Sequence, residues 1–330
     1  MIRWGILSTA KIATTTAIPA MINAPNCVPN AIASRSKDRA HAVADQFHIP
    51  HVFADYAALL ASDKIDAVYI PLPTAHHVDW ATKAAEAGKH VLCEKPISMK
   101  AEQIGSLIEA SAKNGVIISE AMMVAYHPQW AKVRMLIESG AIGELEHVRA
   151  AFSYFNTDPG NMRNQLDLGG GVLRDIGCYP IATTRLATGA IANRVFASIK
   201  RDPQFGTDIF ASALIGFDRF DLSMHVSSQL AWRQTASFHG DKGYIEVAAP
   251  FNAVAGIEDC VCLFKDGRQS AQQFAFPRVN QFQLQFEAFA RAISSRDTSE
   301  LFSLEDALEN QRIIDAIYKM DNSDQWMSIT

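Results

Sequence analysis

Apolar and polar positions follow two rhythms along this chain. Over residues 1–121, short apolar runs alternate with stretches of helical period. Residues 2–7 read as a buried strand and residues 10–22 as a helix. A break or restart is expected at Pro19, which has no N–H to give an interior helical turn. Residues 30–33 end a second strand, and residues 37–47 form a second helix. Residues 66–70, 91–93 and 116–119 read as further buried strands, with helices over 74–87 and 100–113 between them. Gly88 stands where a left-handed helix cap is wanted, and Asn114-Gly115 is a turn. Strands alternating with helices need crossover connections, which set the strands parallel in one sheet. The pattern predicts a doubly wound, dinucleotide-binding α/β domain over residues 1–121.

After a helix over 128–139 the rhythm changes. Runs rich in aromatic and β-branched residues occupy 146–155, 194–200, 209–217, 221–228, 233–239 and 244–247, and 261–264 and 273–276 add to them. Asp241-Lys242-Gly243 and Asp266-Gly267 read as tight turns. One helix (171–188) interrupts the strands and two more (281–295 and 304–320) close the chain. The expectation is an α+β domain over 122–330 with a mostly antiparallel open sheet. The run 209–217 is apolar on both sides: Ile209, Ala211, Ala213 and Ile215 share one face, Phe210 and Leu214 the other, with Ser212 between them. A second apolar face needs a cover, and a partner's sheet would supply it. A homodimer, or a dimer of dimers, through this sheet is therefore expected.

Composition narrows the classes. The 330 residues are 48% apolar and 20% charged, enough to build sizeable cores. The net charge of −5 argues against a general nucleic-acid binder, which needs a basic footprint. No apolar run approaches the roughly 18 residues of a membrane span. The opening MIRWGILSTAKIA lacks the shape of a signal peptide. The five cysteines form no CxxC pair, so neither a disulfide framework nor a metal site is expected, and a reducing cytoplasm is the expected location. Cys260 and Cys262 alternate along one strand and read as small buried residues on one face.

Candidate chemistry gathers in four places. A dinucleotide needs a tight strand-to-helix turn that brings its pyrophosphate to free helix N–H groups, commonly a GxGxxG turn. Here Ser8-Thr9-Ala10-Lys11-Ile12-Ala13 occupies that place; small residues replace the glycines, and Ser8 and Thr9 bring hydroxyl donors. At the end of the second strand an acid would favour NAD. This chain has Ser34-Arg35-Ser36 instead, which can donate to a 2′-phosphate and points to NADP, with NAD still possible. Ser36 would equally serve as a helix cap. Third, the strand of AGKHVLCEKP ends on Glu94 and Lys95, at the carboxyl edge where open α/β sheets bind ligands. Either a loop ion pair or a Lys that orients a hydroxyl fits that position. Fourth, GGGVLRDIGCYP leads three glycines into a helix on which Asp175 and Tyr179, four apart, share a face. They read as a proton-transfer pair or as a core Tyr satisfied by its Asp.

Together these segments resemble the Gfo/Idh/MocA oxidoreductase family over essentially the whole chain. The likeness also covers Leu72-Pro73-Thr74-Ala75-His76-His77, Tyr126-His127-Pro128 and Ser139-Gly140-Ala141-Ile142-Gly143. Tyr at 179, where inositol-dehydrogenase-like members carry His, is similar to the group of glucose–fructose oxidoreductase, NADP D-xylose dehydrogenase and dimeric trans-dihydrodiol dehydrogenase. The resemblance implies a Rossmann domain and a small-molecule substrate. It implies that Lys95 bridges the reacting group to the cofactor ribose. Tyr179 would be the general acid/base, its pKa lowered by Lys95, and Asp175 would hold a substrate hydroxyl or orient the other two. Pro71, Leu72, Pro73 and His77 match the segment lining the nicotinamide ribose; His76 has no such match. Ala125 stands where many relatives carry Arg.

By the same resemblance, the stretch 154–163 lies by the substrate, and its Asn161 and Arg163 could bind sugar hydroxyls. The expected activity is hydride transfer to or from a hydroxyl or carbonyl carbon of a sugar or polyol. A trans-dihydrodiol dehydrogenase is the alternative. A non-catalytic NADP-binding regulatory protein is a further one, from which the retained Lys95, Asp175 and Tyr179 distinguish this chain.

Overall fold

A computed structural model describes residues 1–253, 259–265, 271–276, 279–320 and 325–329. The chain divides into two compact units, one of Met1–Met123 with Asn280–Leu308, the other of Val124–Val279 with Glu309–Thr330.

The first unit is built on strands β1 (Ile2–Leu7), β2 (Cys27–Ala33), β3 (His51–Phe53), β4 (Ala67–Ile70), β5 (His90–Glu94) and β6 (Ile118–Ala121). All its pairings are parallel, in the order β3-β2-β1-β4-β5-β6. The order reverses between β1 and β4, which opens a crevice beyond the carboxyl ends of those strands. Burial on both faces explains the nearly unbroken apolar runs: every residue of β4 is buried. The strand β3 and the short helix Tyr56–Leu60 went unread because each is too short to show a period.

One expectation is met and one is corrected. The helix after β1 restarts next to Pro19, as expected. A π-helical turn over Ala13–Ala17 runs straight into the α-helix Ile18–Asn23, and Pro19 stands in that helix's first turn, where no N–H is demanded of it. The helix Gln281–Ser295, read from sequence as part of the second domain, belongs to the first unit. Its Phe286 packs edge-on to the fully buried Trp4 at 5.1 Å, with Phe289 at 5.5 Å. Its backbone accepts a hydrogen bond at Glu287 from Asn26 (2.9 Å).

The second unit carries a mixed sheet of β7 (Leu145–Phe155), β8 (Ala192–Arg201), β9 (Asp208–Phe217), β10 (Asp221–Ser227), β11 (Gln229–Gly240), β12 (Gly243–Val247), β13 (Asp259–Lys265), β14 (Ala271–Phe276) and β15 (Met327–Ser328). The order is β14-β13-β12-β11-β7-β10-β9-β8-β15, antiparallel except for the parallel pair β7–β10. One face is buried through Val148, Ala150 and Phe152, the other is open. On β9, Ile209, Ala211, Ala213 and Ile215 are buried; Phe210 and Leu214 are half-buried and Ser212 is exposed. Cys260 and Cys262 are not buried as expected: both are half-exposed, their sulfurs 3.7 Å apart. The Asp266-Gly267 turn lies outside the described residues. Among the described residues no helix is long and apolar enough to cross a membrane.

Candidate active site

In the first unit the carboxyl ends of adjacent parallel strands collect the chemistry. At the end of β1, Ser8 holds a φ of +141°, in the region that favours glycine. Its Oγ accepts from the Ala10 N–H (3.0 Å), so the turn closes without a glycine. The helix starts at once, with Lys11 exposed and Ile12 half-buried. Thr9 Oγ1 lies 3.3 Å from Ser34 Oγ, tying this turn to the end of β2. Ser34 is buried and accepts from the Ser36 N–H (3.3 Å), while Ser36 caps the next helix by accepting from the Arg39 N–H (3.4 Å). Ser34 and Ser36 are thus engaged locally. Arg35 is exposed, and its charge acts on the Tyr56 hydroxyl, whose pKa burial raises. A tight turn at the central strand, a helix N-terminus facing it and a basic rather than acidic β2 end fit a dinucleotide with an extra phosphate.

The next two strand ends are tied together. After β4, Pro71 is buried, with Leu72 and Pro73 half-buried. His77 is buried beneath them; its Nε2 lies 2.7 Å from the Leu72 carbonyl and its Nδ1 2.8 Å from the Pro96 carbonyl. At the end of β5, Glu94 accepts from the Tyr69 hydroxyl (2.5 Å) and from the Lys95 N–H (3.3 Å). Lys95 itself is half-buried, and the Lys95–Pro96 peptide is cis. The Ile97 N–H after it donates to the buried Glu120 at the end of β6 (2.7 Å).

In the second unit Gly170 admits another stretch of backbone and Gly171 the Asp208 side chain. A Cβ at Gly170 would lie 2.6–2.8 Å from the carbonyls of Arg163, Gln165 and Met162, and Gly171, at φ +127°, would place one 2.0 Å from Asp208. Asp208 accepts from the Leu173 N–H (2.7 Å) and the Tyr318 hydroxyl (2.8 Å), which fixes the helix start. Residues Leu173–Gly177 form a π-helical turn before the α-helix Cys178–Thr188. That turn carries Asp175, whose Oδ2 accepts from Tyr154 (2.7 Å) and from Arg163 Nε (2.7 Å). The Asp175 charge raises the pKa of Arg163, and burial followed by that same charge raises that of the Tyr154 hydroxyl. Arg163 is thus an ion-pair partner of Asp175, and Asn161 caps a 3-10 turn by accepting from the Arg163 N–H (3.1 Å). Tyr179 is buried, stacked on Phe251 (5.9 Å) and tilted against Phe152 (5.8 Å).

Residues 2–122 match the family described as an oxidoreductase family with an NAD-binding Rossmann fold, and residues 130–246 match the GFO/IDH/MocA C-terminal domain. The chain belongs to the GFO/IDH/MocA family. It is an oxidoreductase whose first unit is the family's NAD-binding domain. It is 34% identical to a D-xylose 1-dehydrogenase (NADP(+)) from Haloferax volcanii, over 96% of each chain. A 3-ketoreductase from Actinomadura kijaniata, solved in complex with NADP and TDP-benzene, is 32% identical and superposes with a TM-score of 0.91, covering 97% of this chain and 98% of that one. A trans-1,2-dihydrobenzene-1,2-diol dehydrogenase from Xenopus laevis is 33% identical over 54% of each chain.

Sequence reasoning passed over Tyr154, Tyr69 and Glu120 in this family member. Glu120, between buried Ser119 and Ala121, was the one readable signal, an acid inside an apolar strand.

Burial draws the pKa of His77 down to about 4, against the two carbonyls that favour its protonated form. The unfolded chain therefore takes up a proton between pH 6.5 and 4 that the folded ring refuses, and stability falls as pH drops through that window. Thermal melts followed by circular dichroism should show this fall, and His77→Gln should flatten it. A steeper fall in the variant would mean that the native ring is charged.

Proposed function

We propose that this protein is an NADP-dependent oxidoreductase acting at a hydroxyl or carbonyl carbon of a sugar or polyol. The observation that carries the reading is the Tyr154–Asp175–Arg163 cluster at the start of the Tyr179 helix. Two donors hold the Asp175 carboxylate in place, and its side chain retains 13% exposure. A fixed, accessible carboxylate is suited to accept a substrate hydroxyl, and carbohydrate offers several. The nicotinamide would supply or accept the hydride at its C4. Lys95, on its tied turn, would orient the reacting oxygen, and Tyr179 would hand it a proton or take one away. Arg35 would pair with the 2′-phosphate, as the Ser34-Arg35-Ser36 stretch has no acid to repel it. The xylose dehydrogenase and the ketoreductase, both NADP proteins by name or complex, support the cofactor, and the xylose dehydrogenase supports the sugar class. The dihydrodiol dehydrogenase likeness supports a cyclic diol as the second reading.

The first test is a spectrophotometric screen. NADP⁺ would be offered aldoses, polyols and cyclic trans-diols, and NADPH would be offered keto-sugars, free or nucleotide-linked. Lys95→Ala should abolish turnover of whatever substrate is found, and Tyr179→Phe should lower kcat by about 10²-fold or more. Near-normal kcat in either variant removes that residue from the chemistry. Arg35→Ala should raise KM for NADP far more than for NAD, and an equal effect on both would sink the phosphate assignment.

The open sheet face fits a second copy of this chain, as a homodimer or dimer of dimers. Phe196 (40% exposed), Leu214 and Phe210 bring apolar surface there. Phe196 and Leu214 border a concavity of about 750 Å³, which His147, Arg149, His225 and His239 also line. Light scattering at micromolar concentration should report at least a dimer, and a monomeric mass would refute the assembly.

A further inference from the structure

Glu120 has no role in the chemistry just described, yet it is bonded to the turn that presents Lys95. Carboxylates are almost never fully buried without a partner. Glu120 is 3% exposed at the end of β6, beside β5, with Cys93 and Glu120 in register. Its Oε1 accepts from the Ile97 N–H at 2.7 Å, two residues beyond Lys95. A glutamine could accept the same hydrogen bond without the cost of burying a charge. Something else must be gained from a carboxyl, and the groups around it say what. They are the Lys95 ammonium and the Glu94 carboxylate from the β5 end, and Asp306 from the helix Leu304–Lys319.

We propose that Glu120 is a positioning residue for Lys95: its buried carboxyl holds the Lys95–Ile97 turn through the Ile97 N–H, and its charge acts on the Lys95 ammonium. This rests on the assignment of Lys95 above. Two opposed tendencies act on the carboxyl. Burial, then Glu94 and Asp306, favours the neutral acid, while the Ile97 N–H and Lys95 favour the anion. Burial wins in part, and the pKa rises to about 7. As pH rises through that value, Glu120 gains a charge opposite to that of Lys95, binds the Ile97 N–H more strongly and steadies the ammonium. The folded state also keeps a proton between pH 4.5 and 7 that the unfolded chain has lost, so the native protein pays in stability as pH rises across that window.

The test uses the full chain with NADP(H), comparing wild type, Glu120→Gln, Glu120→Asp and Lys95→Ala. Glu120→Gln should melt at least as high as wild type at pH 8 and lose the wild-type decline in melting temperature between pH 5 and 7.5. Its kcat should fall by about tenfold or more with the cofactor KM little changed, and its acid limb near pH 7 should vanish. Glu120→Asp should keep that limb. Competitive acetylation read by mass spectrometry should show Lys95 more reactive in Glu120→Gln, because its ammonium has lost the facing anion. Wild-type kcat and an unchanged acid limb in Glu120→Gln would overturn the proposal, as would unchanged Lys95 labelling. Loss of the reading itself looks different: no substrate turns over, or Lys95→Ala stays active. The labelling then still decides whether the charge of Glu120 acts on the Lys95 ammonium. If Glu120→Gln does not fold, Glu120→Asp is read instead: an acid limb kept but displaced in pH, with Lys95 labelling changed, supports the proposal, and a limb and labelling both identical to wild type overturn it.

Discussion

A lysine that must meet a substrate at one point can do so only if the turn presenting it is immobile. Here the turn Lys95-Pro96-Ile97 leaves a buried strand and is held from two sides. His77 spans the carbonyls of Leu72 and Pro96, and Glu120 takes the Ile97 N–H. A third tie fixes Glu94, whose carboxylate accepts from Tyr69. Each neutral hydrogen bond is worth only about 0.5–1.5 kcal/mol net, and those to charged groups somewhat more. Their effect lies in geometry: partners come from β4, β5, β6 and the helix His77–Glu86, so no single strand can shift alone. The carboxyl edge of the parallel sheet is the natural place for this, because all its strands end on the same side.

The second unit solves the same problem with backbone. Gly170 lets the chain of residues 162–165 come within hydrogen-bonding distance of the helix start, a space that a Cβ would fill, and Gly171 leaves room for the Asp208 side chain. Asp208 then pins that start through the Leu173 N–H and is itself held by Tyr318. The π-helical turn that follows gives Asp175 its two donors, Tyr154 and Arg163. Tyr179, one turn on, is buried with its ring stacked on Phe251. The two donors fix the direction of the Asp175 carboxylate, and the stacking fixes the plane of the phenol ring.

Much of this architecture was legible in the chain. Periodicity is local, so the buried strands of the first unit, the β-rich second half and most helix limits could be read from residue order; the helix Lys37–Phe47 was read to the residue. Gly88 was readable as a left-handed cap for the same reason, at φ +72°, and Gly115 of the Asn114-Gly115 turn caps its helix at φ +63°. The resemblance carried by AGKHVLCEKP and GGGVLRDIGCYP placed the chain in its family, and the family comparisons agree.

Only the tertiary structure decided the partners. An amphipathic helix declares that one face must be covered but not by what, and so Gln281–Ser295 was assigned to the wrong unit until Phe286 met Trp4. Ser8 looked like a departure from the phosphate turn; its φ of +141° shows that a serine takes up the glycine's conformation when its own hydroxyl closes the turn. The contacts of Tyr154, Tyr69 and Glu120 could not be read, because each acts on a residue more than twenty positions away in the chain. Arg163 and Asn161 were readable as polar but not as an ion-pair partner and a cap. Sequence by itself determined which residues must be buried and which segments carry chemistry. Strand register and helix placement, which depend on the whole packed chain, decided which of those residues touch.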